Sequence, residues 1–535
     1  MRFCLAFLLA PLAAIAGTWW WLGAPVAMPP SPLAEGARLY CVSYAPFRGA
    51  QSPLDGGTHI PAQQIEEDLR NLAKLTDCVR TYSIEHGLDQ VPAIAARYGL
   101  QVMQGLWLSS DRIRNEQQIA AVIDLVNKHK NVVRSLVVGN EVLLRGEMSG
   151  QDLAAVMRRV KAAVQVPVTY ADVWEFWLRH PELRDAADFV TVHILPYWED
   201  FPIPAEQAAA HVDSIRAKVV EAFPDKQVLI GETGWPSAGR MREGALPSPV
   251  NEALVMHEIL AAAARGGYRV NLIEAFDQPW KRRLEGTAGG YWGLFDENRV
   301  VKFAWGQPVS DHPHWKLQAA GGLALAAIVF ASAWWAAGTA SRRRNDAMLW
   351  GMVAVMAAVS GIFVGWTVEK AAYESLGAGG WVRSAALLFV GVAAPIVAAT
   401  LLAGRFPLPR FADVLGPARA RLPMPALAAG LVLVVLSAIA MQVMLGFVFD
   451  PRYRDFPFAA LAGAVVPFAL VALRRERRRM PAGMAEKVSA LVLALAAVYV
   501  FFNEGTANWQ SLATVACVAL LSLTLLRGAG EPETE

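Results

Sequence analysis

The chain has 535 residues, of which 55% are hydrophobic and 18% charged, with 49 Lys and Arg against 47 Asp and Glu. That length exceeds what one hydrophobic core supports, so at least two structural units are expected. Most acidic residues precede position 312, whereas long uncharged runs dominate the remainder, so the second half reads as solvated by lipid. The near-cancelling charge, with no single basic patch, excludes nucleic acid as a partner. Cys4, Cys41, Cys78 and Cys517 are too few and too scattered for a disulfide framework or a zinc site.

After Arg2 an apolar run extends to about Met28, carries Trp19, Trp20 and Trp21, and meets a Pro-rich linker at 29–36. It reads as a signal peptide cleaved within 24–27 or as a retained anchor over 1–28. Its length and aromatic belt favour the anchor, and either one exports the segment beyond the linker.

Between 37 and 312, runs rich in Val, Ile, Leu and aromatics begin at Leu39, Cys78, Leu100, Val133, Val166, Phe189, Gln227 and Val270. Amphipathic stretches at 61–75, 116–130, 150–164, 205–223 and 252–265 lie between most of them. This alternation predicts an α/β fold, a (β/α)8 TIM barrel, with an open doubly wound sheet as the alternative. The barrel is favoured because Tyr44, Arg80, Tyr82, Trp107, Asn140, Glu141, Tyr170, Asp172, Tyr197, Glu232, Trp235, Glu274 and Asp277 gather where strands end, the rim on which barrel enzymes build active sites. Cys41 and Cys78, near the starts of the first two strands, read as two buried thiols, although an oxidising compartment would allow a bridge.

Glu141 follows the apolar run 136–139 with Asn140 between, and Glu232 follows 228–231 directly. A lone Glu past a strand is ordinarily a solvated loop residue. Two of them, on the fourth and seventh strands and each past a run ending in Gly, suit glycoside cleavage, in which one carboxylate stabilises an oxocarbenium-like state and another supplies a proton. Neighbours are expected to push the two acidities apart, one protonated and one ionised.

These residues carry a resemblance. VVGNE at 137–141 and GETGWPS at 231–237 resemble the acid/base and nucleophile motifs of glycoside hydrolase family 17, the β-1,3-glucanases and related transglycosylases. FDQPWK at 276–281 and YWGLFDENR at 291–299 resemble its closing segment. The resemblance implies a retaining mechanism without cofactor or metal, Glu141 as acid/base and Glu232 as nucleophile. It further implies Asn140 against the sugar 2-hydroxyl, Tyr197 steadying the nucleophile, and Glu274 with Lys281 as a supporting pair. Arg80 and Tyr170 are further substrate-binding candidates. His193 departs from the asparagine usual in plant members, which bears on substrate register there, and a structural histidine is the plain alternative. Among Tyr44, Trp107, Tyr170, Trp174, Trp198, Trp235, Trp280 and Trp292, about half are expected to stack on sugar, Tyr44 and Trp235 first.

Over 313–526, seven uncharged runs at 318–339, 348–367, 384–402, 425–446, 457–473, 488–502 and 509–526 predict an all-α membrane domain of about seven spans, with a tail at 527–535. Arg342, Arg343 and Arg344, then Arg405, Arg410, Arg419 and Arg421, then Arg474, Arg475, Arg477, Arg478 and Arg479 mark alternate loops as cytoplasmic. That puts 37–312 outside, in the periplasm of a bacterium whose inner membrane holds the protein. The spans carry no ionisable residue, which disfavours coupled transport. Exported barrels joined to such a membrane half resemble bacterial proteins labelled β-(1,6)-glucan synthases. Neither a DxD triplet nor QxxRW occurs, so a nucleotide-sugar donor is not expected. The reading is cleavage of β-1,3-glucan with transfer to another sugar, with plain endo-hydrolysis and a non-catalytic glucan-binding or export partner as alternatives. The expected partners are β-1,3-glucan or gluco-oligosaccharide and the lipid bilayer, and the reading leaves room for a separate glucan synthase.

Overall fold

The computed structural model describes residues 2–339, 343, 345–474, 479–527 and 529–530. Arg342, Arg344, Arg475, Arg477, Arg478 and most of the 527–535 tail lie outside the described residues. The chain divides into two units, Val26–Val309 and Met1–Pro25 with Ser310–Glu535. The expected linker at 29–36 and the last three residues of the expected anchor therefore belong to the barrel unit, where Val26 pairs with Val309.

In the first unit eight parallel strands close into a barrel in chain order: β1 Cys41–Ser43, β2 Cys78–Arg80, β3 Gln101–Leu106, β4 Val133–Asn140, β5 Val168–Val173, β6 Val190–His193, β7 Val228–Thr233 and β8 Val270–Leu272. Each falls on a predicted run, β5 ending one residue beyond its own. β1 pairs with β8 through Cys41 opposite Asn271, so no edge is left and the open sheet is excluded. Helices Ala62–Leu72, Arg112–Lys128, Gly150–Ala163, Ala205–Ala222 and Pro249–Gly266 cover the predicted amphipathic stretches. Asp111, Ser149 and Ser248 start three of them by accepting backbone N–H bonds of the first turn, which supplies acceptors for donors the helix itself cannot satisfy. Helices Trp174–Arg179 and Arg282–Gly289 went unpredicted because they are too short for a helical period to register.

Strand side chains alternate. Val42, Val79, Val102, Leu136 and Val168 pack outward in the main core, while Cys41, Cys78, Met103, Val137, Ala171 and Leu229 form a separate apolar cluster, as the two-residue period of a barrel wall requires. Val42 stands opposite Val79, which brings Cys41 beside Cys78. The two are joined by a disulfide with Cα atoms 4.4 Å apart. This corrects the expectation of two free thiols: strand register, not sequence spacing, makes the bond.

In the second unit, among the described residues, six helices are long and apolar enough to cross a membrane: Trp315–Ala337, Ala347–Glu374, Gly377–Gly404, Met424–Phe449, Met484–Glu504 and Trp509–Leu526. The remaining apolar run, 457–473, forms the 16-residue helix Phe458–Leu473, buried on nearly every side. At 1.5 Å per residue it spans about 24 Å, short of the ~30 Å of a hydrocarbon core. The helices also outrun their apolar stretches, so Lys370, Glu374 and Arg383 lie within helices and pair there at 2.9 and 3.3 Å. Helix Arg2–Leu22 belongs to this unit, with Ile15 and Trp19 fully buried in its core. Small residues permit the packing: a Cβ on Gly361 would lie 2.5 Å from the Ile15 side chain, and one on Gly322 would lie 2.2 Å from the Gly361 carbonyl.

Replacing Cys41 and Cys78 together by alanine should cost about 2–4 kcal/mol by releasing the unfolded chain between them. A lower urea midpoint for the solubilised full-length protein is the expected result. An unchanged midpoint means that the bond does not form.

Candidate active site

β2, β4, β6 and β7 deliver their last residues to one end of the barrel. Ladder register shifts occur between Val137 and Asn140, between Val192 and His193, and between Ile230 and Thr233. Irregularities of this kind re-aim side chains at barrel rims. Gly231 has no room for a side chain, because a Cβ there would lie 2.4 Å from Thr191 Cγ2, so β7 lies close against β6 just before Glu232. Glu141 itself takes φ 53°, preceded by Gly139 at φ 86°. A left-handed glutamate is strained by roughly 1–2 kcal/mol, and such strain concentrates at functional sites.

Arg80 organises the centre. Its buried guanidinium donates from Nη1 to Glu232 Oε1 at 2.9 Å and to the Gly231 carbonyl at 2.7 Å, and from Nη2 to Asn140 Oδ1 at 2.6 Å. Tyr82 donates to the same Glu232 oxygen at 2.8 Å. Burial and the Glu232 charge push the Tyr82 phenol well above its ordinary pKa, so it stays a donor. His193 Nδ1 lies 2.8 Å from Glu141 Oε1. The Glu141 side chain is 25% exposed and that of Glu232 only 6%. Burial alone would raise the pKa of Glu141, but the hydrogen bond from His193, backed by the charges of Arg145 and Arg80, holds it below the ordinary carboxylate value.

One carboxylate oxygen each of Glu141 and Glu232 and one ring nitrogen of His193 all lie within 4.8 Å of one another. Two carboxylates and an imidazole are donors a transition metal accepts, but Arg80 already supplies a full positive charge to Glu232 and lies 3.4 Å from His193 Nε2, which opposes a cation. As a pair, the carboxylates fit the close spacing of retaining glycosidases, about 5 Å, rather than the wider spacing of inverting ones.

The comparisons with known proteins fall on the barrel. Residues 41–293 match the BtgE/BtgC glycoside hydrolase domain. A glucan 1,3-beta-glucosidase of Candida albicans is 25% identical over 273 residues, 47% of this chain and 88% of that protein. These matches support a glycoside hydrolase family 17 β-1,3-glucanase or glucanosyltransferase barrel. A probable beta-glucosidase btgE of Aspergillus fumigatus is 30% identical over 227 residues, 41% of this chain and 39% of that one. A solved family 17 beta-1,3-glucanosyltransferase from Rhizomucor miehei covers 49% of this chain and 95% of its own, at 26% identity and a TM-score of 0.44. The chain is thus a glycosidase or transglycosylase.

Within the barrel several sequence assignments change. Tyr197 is buried and donates to the Arg240 carbonyl at 2.7 Å, so Tyr82 takes the place expected for Tyr197 beside Glu232. Tyr82 lies two residues beyond Arg80, which is the signal that could have found it, because alternate residues share a face. Tyr44 is buried and donates to Asp68 at 3.3 Å. Tyr170 is buried against Asp172 and Leu143, and Trp235 is buried with its indole N–H on the Leu246 carbonyl at 3.0 Å. With Trp292 also buried, none of these four rings offers a face to sugar. Trp107, Trp174, Trp198 and Trp280 remain partly exposed. Asn140 commits Oδ1 to Arg80, so its amide has N–H donors to offer a ligand. Glu274 and Lys281 do pair, at 2.7 Å.

Burial lifts the Asp172 pKa to about 6, partly offset by the Tyr170 hydrogen bond and reinforced by the Glu141 charge. Its folded value lies above the unfolded ~3.9, so its contribution to stability is complete below about pH 4 and is lost as pH rises through 6. Asp172→Asn should remove up to about 2–3 kcal/mol of pH dependence across that window, seen as a flatter plot of urea midpoint against pH. An unchanged slope would place the titration elsewhere.

Proposed function

We propose that this protein is a membrane-anchored retaining enzyme that cleaves β-1,3-glucan and passes the glycosyl chain to another sugar, with hydrolysis as the competing outcome. The observation that carries the reading is the carboxylate pair within 4.8 Å, with Glu232 fixed by Arg80 and Tyr82 and Glu141 more open to the cleft. Glu232 attacks the anomeric carbon while protonated Glu141 gives its proton to the leaving oxygen. Ionised Glu141 then takes the proton of an acceptor hydroxyl, which displaces Glu232. Asn140 and Lys281 are proposed sugar contacts, with Trp107, Trp198 and Trp280 as stacking faces.

Names of relatives support the substrate class: glucan 1,3-beta-glucosidases by sequence, and, by title alone, a glucanosyltransferase held with laminaritriose. Membrane tethering suits building or remodelling a glucan better than digesting an external one. The arginine-rich loops Arg405–Arg421 and around Arg474 favour a cytoplasmic side opposite the barrel, and the Cys41–Cys78 bond favours an oxidising compartment such as the periplasm. Packing of helix Arg2–Leu22 into the membrane unit favours a retained anchor. Span Phe458–Leu473 is proposed as an enclosed central helix rather than a lipid-facing one.

Full-length solubilised protein incubated with laminari-oligosaccharides should yield products longer than the substrate, read by mass. Shorter products alone would reduce the activity to hydrolysis, and binding without turnover would make the barrel a receptor. Glu232→Gln should lower turnover a thousand-fold or more, on the order seen when a nucleophile is removed. Tyr82→Phe should lower kcat roughly ten- to a hundred-fold through one lost hydrogen bond to a charged group, and an unchanged kcat would remove Tyr82 from the machinery.

A further inference from the structure

The proposed mechanism leaves His193 without a task, yet its fully buried ring lies between the two carboxylates. Nδ1 is 2.8 Å from Glu141 Oε1, while Nε2 is 3.4 Å from both Nη1 and Nη2 of Arg80 and 3.5 Å from Glu232 Oε1. A guanidinium only donates and does not lose its proton in proteins. Nη1 already gives its two hydrogens to the Gly231 carbonyl and Glu232, and Nη2 gives one to Asn140, so the second Nη2 hydrogen is the one that faces Nε2, which presents a lone pair to it. Glu232 Oε1 already accepts from Arg80 and Tyr82 and needs no third donor. The hydrogen of the neutral ring therefore resides on Nδ1, aimed at Glu141.

We infer that His193 is a positioning residue for the acid/base: Arg80 holds it in the Nδ1–H tautomer, so that Glu141 keeps Oε1 as an acceptor and carries its exchangeable proton on Oε2. The inference rests on the reading of Glu141 and Glu232 as the catalytic pair. In cleavage the Oε2 proton passes to the leaving glycosidic oxygen as a Glu232 oxygen bonds to the anomeric carbon. In transfer Oε2 receives the proton of the acceptor hydroxyl as that oxygen displaces Glu232. His193 gains and loses no proton in either step. Its hydrogen bond favours the anionic form of Glu141 throughout, which helps the base step and taxes the acid step.

Other groups also face this pair. Arg80 on β2 and Arg145 beyond β4 favour the Glu141 carboxylate, whereas Asp172 on β5, Glu232 on β7 and Glu285 on helix Arg282–Gly289 oppose it, with the Tyr82 and Tyr170 phenols alongside. Replacing His193 leaves all of them in place, so a changed Glu141 titration reports the loss of this one bond.

The test compares pH profiles of kcat/KM on a laminari-oligosaccharide for full-length wild type, His193→Met and His193→Gln. The methionine fills the ring's place without a donor, and its alkaline limb should move up by about one pH unit or more. The glutamine amide can still donate to Oε1 and should restore the wild-type limb. A limb unmoved in the methionine variant, or moved equally in both, overturns the inference. Should the methionine variant not fold, the ¹⁵N histidine spectrum of wild type, assigned against His193→Gln, decides the matter. A ring protonated on Nδ1 with a lone pair on Nε2 is expected, and an imidazolium or an Nε2–H ring overturns it. Absence of wild-type turnover would defeat the glycosidase reading instead, and the nitrogen spectrum would still decide the tautomer.

Discussion

Arg80 carries a full positive charge where water does not reach, at the centre of the barrel mouth. Burying such a charge costs several kcal/mol unless hydrogen bonds and an opposite charge offset it. Here the offset comes from Asn140 at the end of β4 and from Gly231 and Glu232 on β7, with His193 of β6 against the same group. The strands that carry the site are thereby tied to β2 by one planar group whose donors have fixed directions. A shift of any one strand would leave a buried charge unpaired, so the site is rigid for the same reason that it is polar.

Other features serve that constraint. The Cys41–Cys78 bond lies two residues before Arg80 and ties β2 to β1. Glu141 is kept in its left-handed conformation by backbone bonds on both sides, its N–H to the Ala171 carbonyl at 2.8 Å and its carbonyl from Arg145 N–H at 2.9 Å. The strain is thus supported by the neighbouring strand and by the turn after it. Gly139 before it and Gly231 before Glu232 are the points where backbone must bend or approach closely, and in both motifs glycine precedes the carboxylate for a steric reason.

The membrane unit obeys a different rule. With lipid outside, apolar character does not distinguish a helix facing lipid from one facing protein. Phe458–Leu473 is apolar all round and buried on nearly every side, and its composition resembles that of the six longer apolar helices. Glycines at 322 and 361 mark close helix contact more clearly than hydropathy does.

Sequence alone determined the strand and helix succession, the two-unit division and the carboxylate pair, because these follow from local periodicity and from charges placed just past buried runs. It also located Arg80, Asn140 and Lys281, as polar residues at strand ends. Tertiary structure decided which way rings point. Tyr44, Tyr170, Tyr197 and Trp235 stand at strand ends as the others do, yet pack into the wall, since aromatic residues serve core and cleft equally well and only burial separates the uses. It decided the disulfide, which depends on β1–β2 register, and it brought Tyr82 and His193 to the carboxylates. These are contacts between distant segments, and no one-dimensional pattern records which residues from two strands face one another.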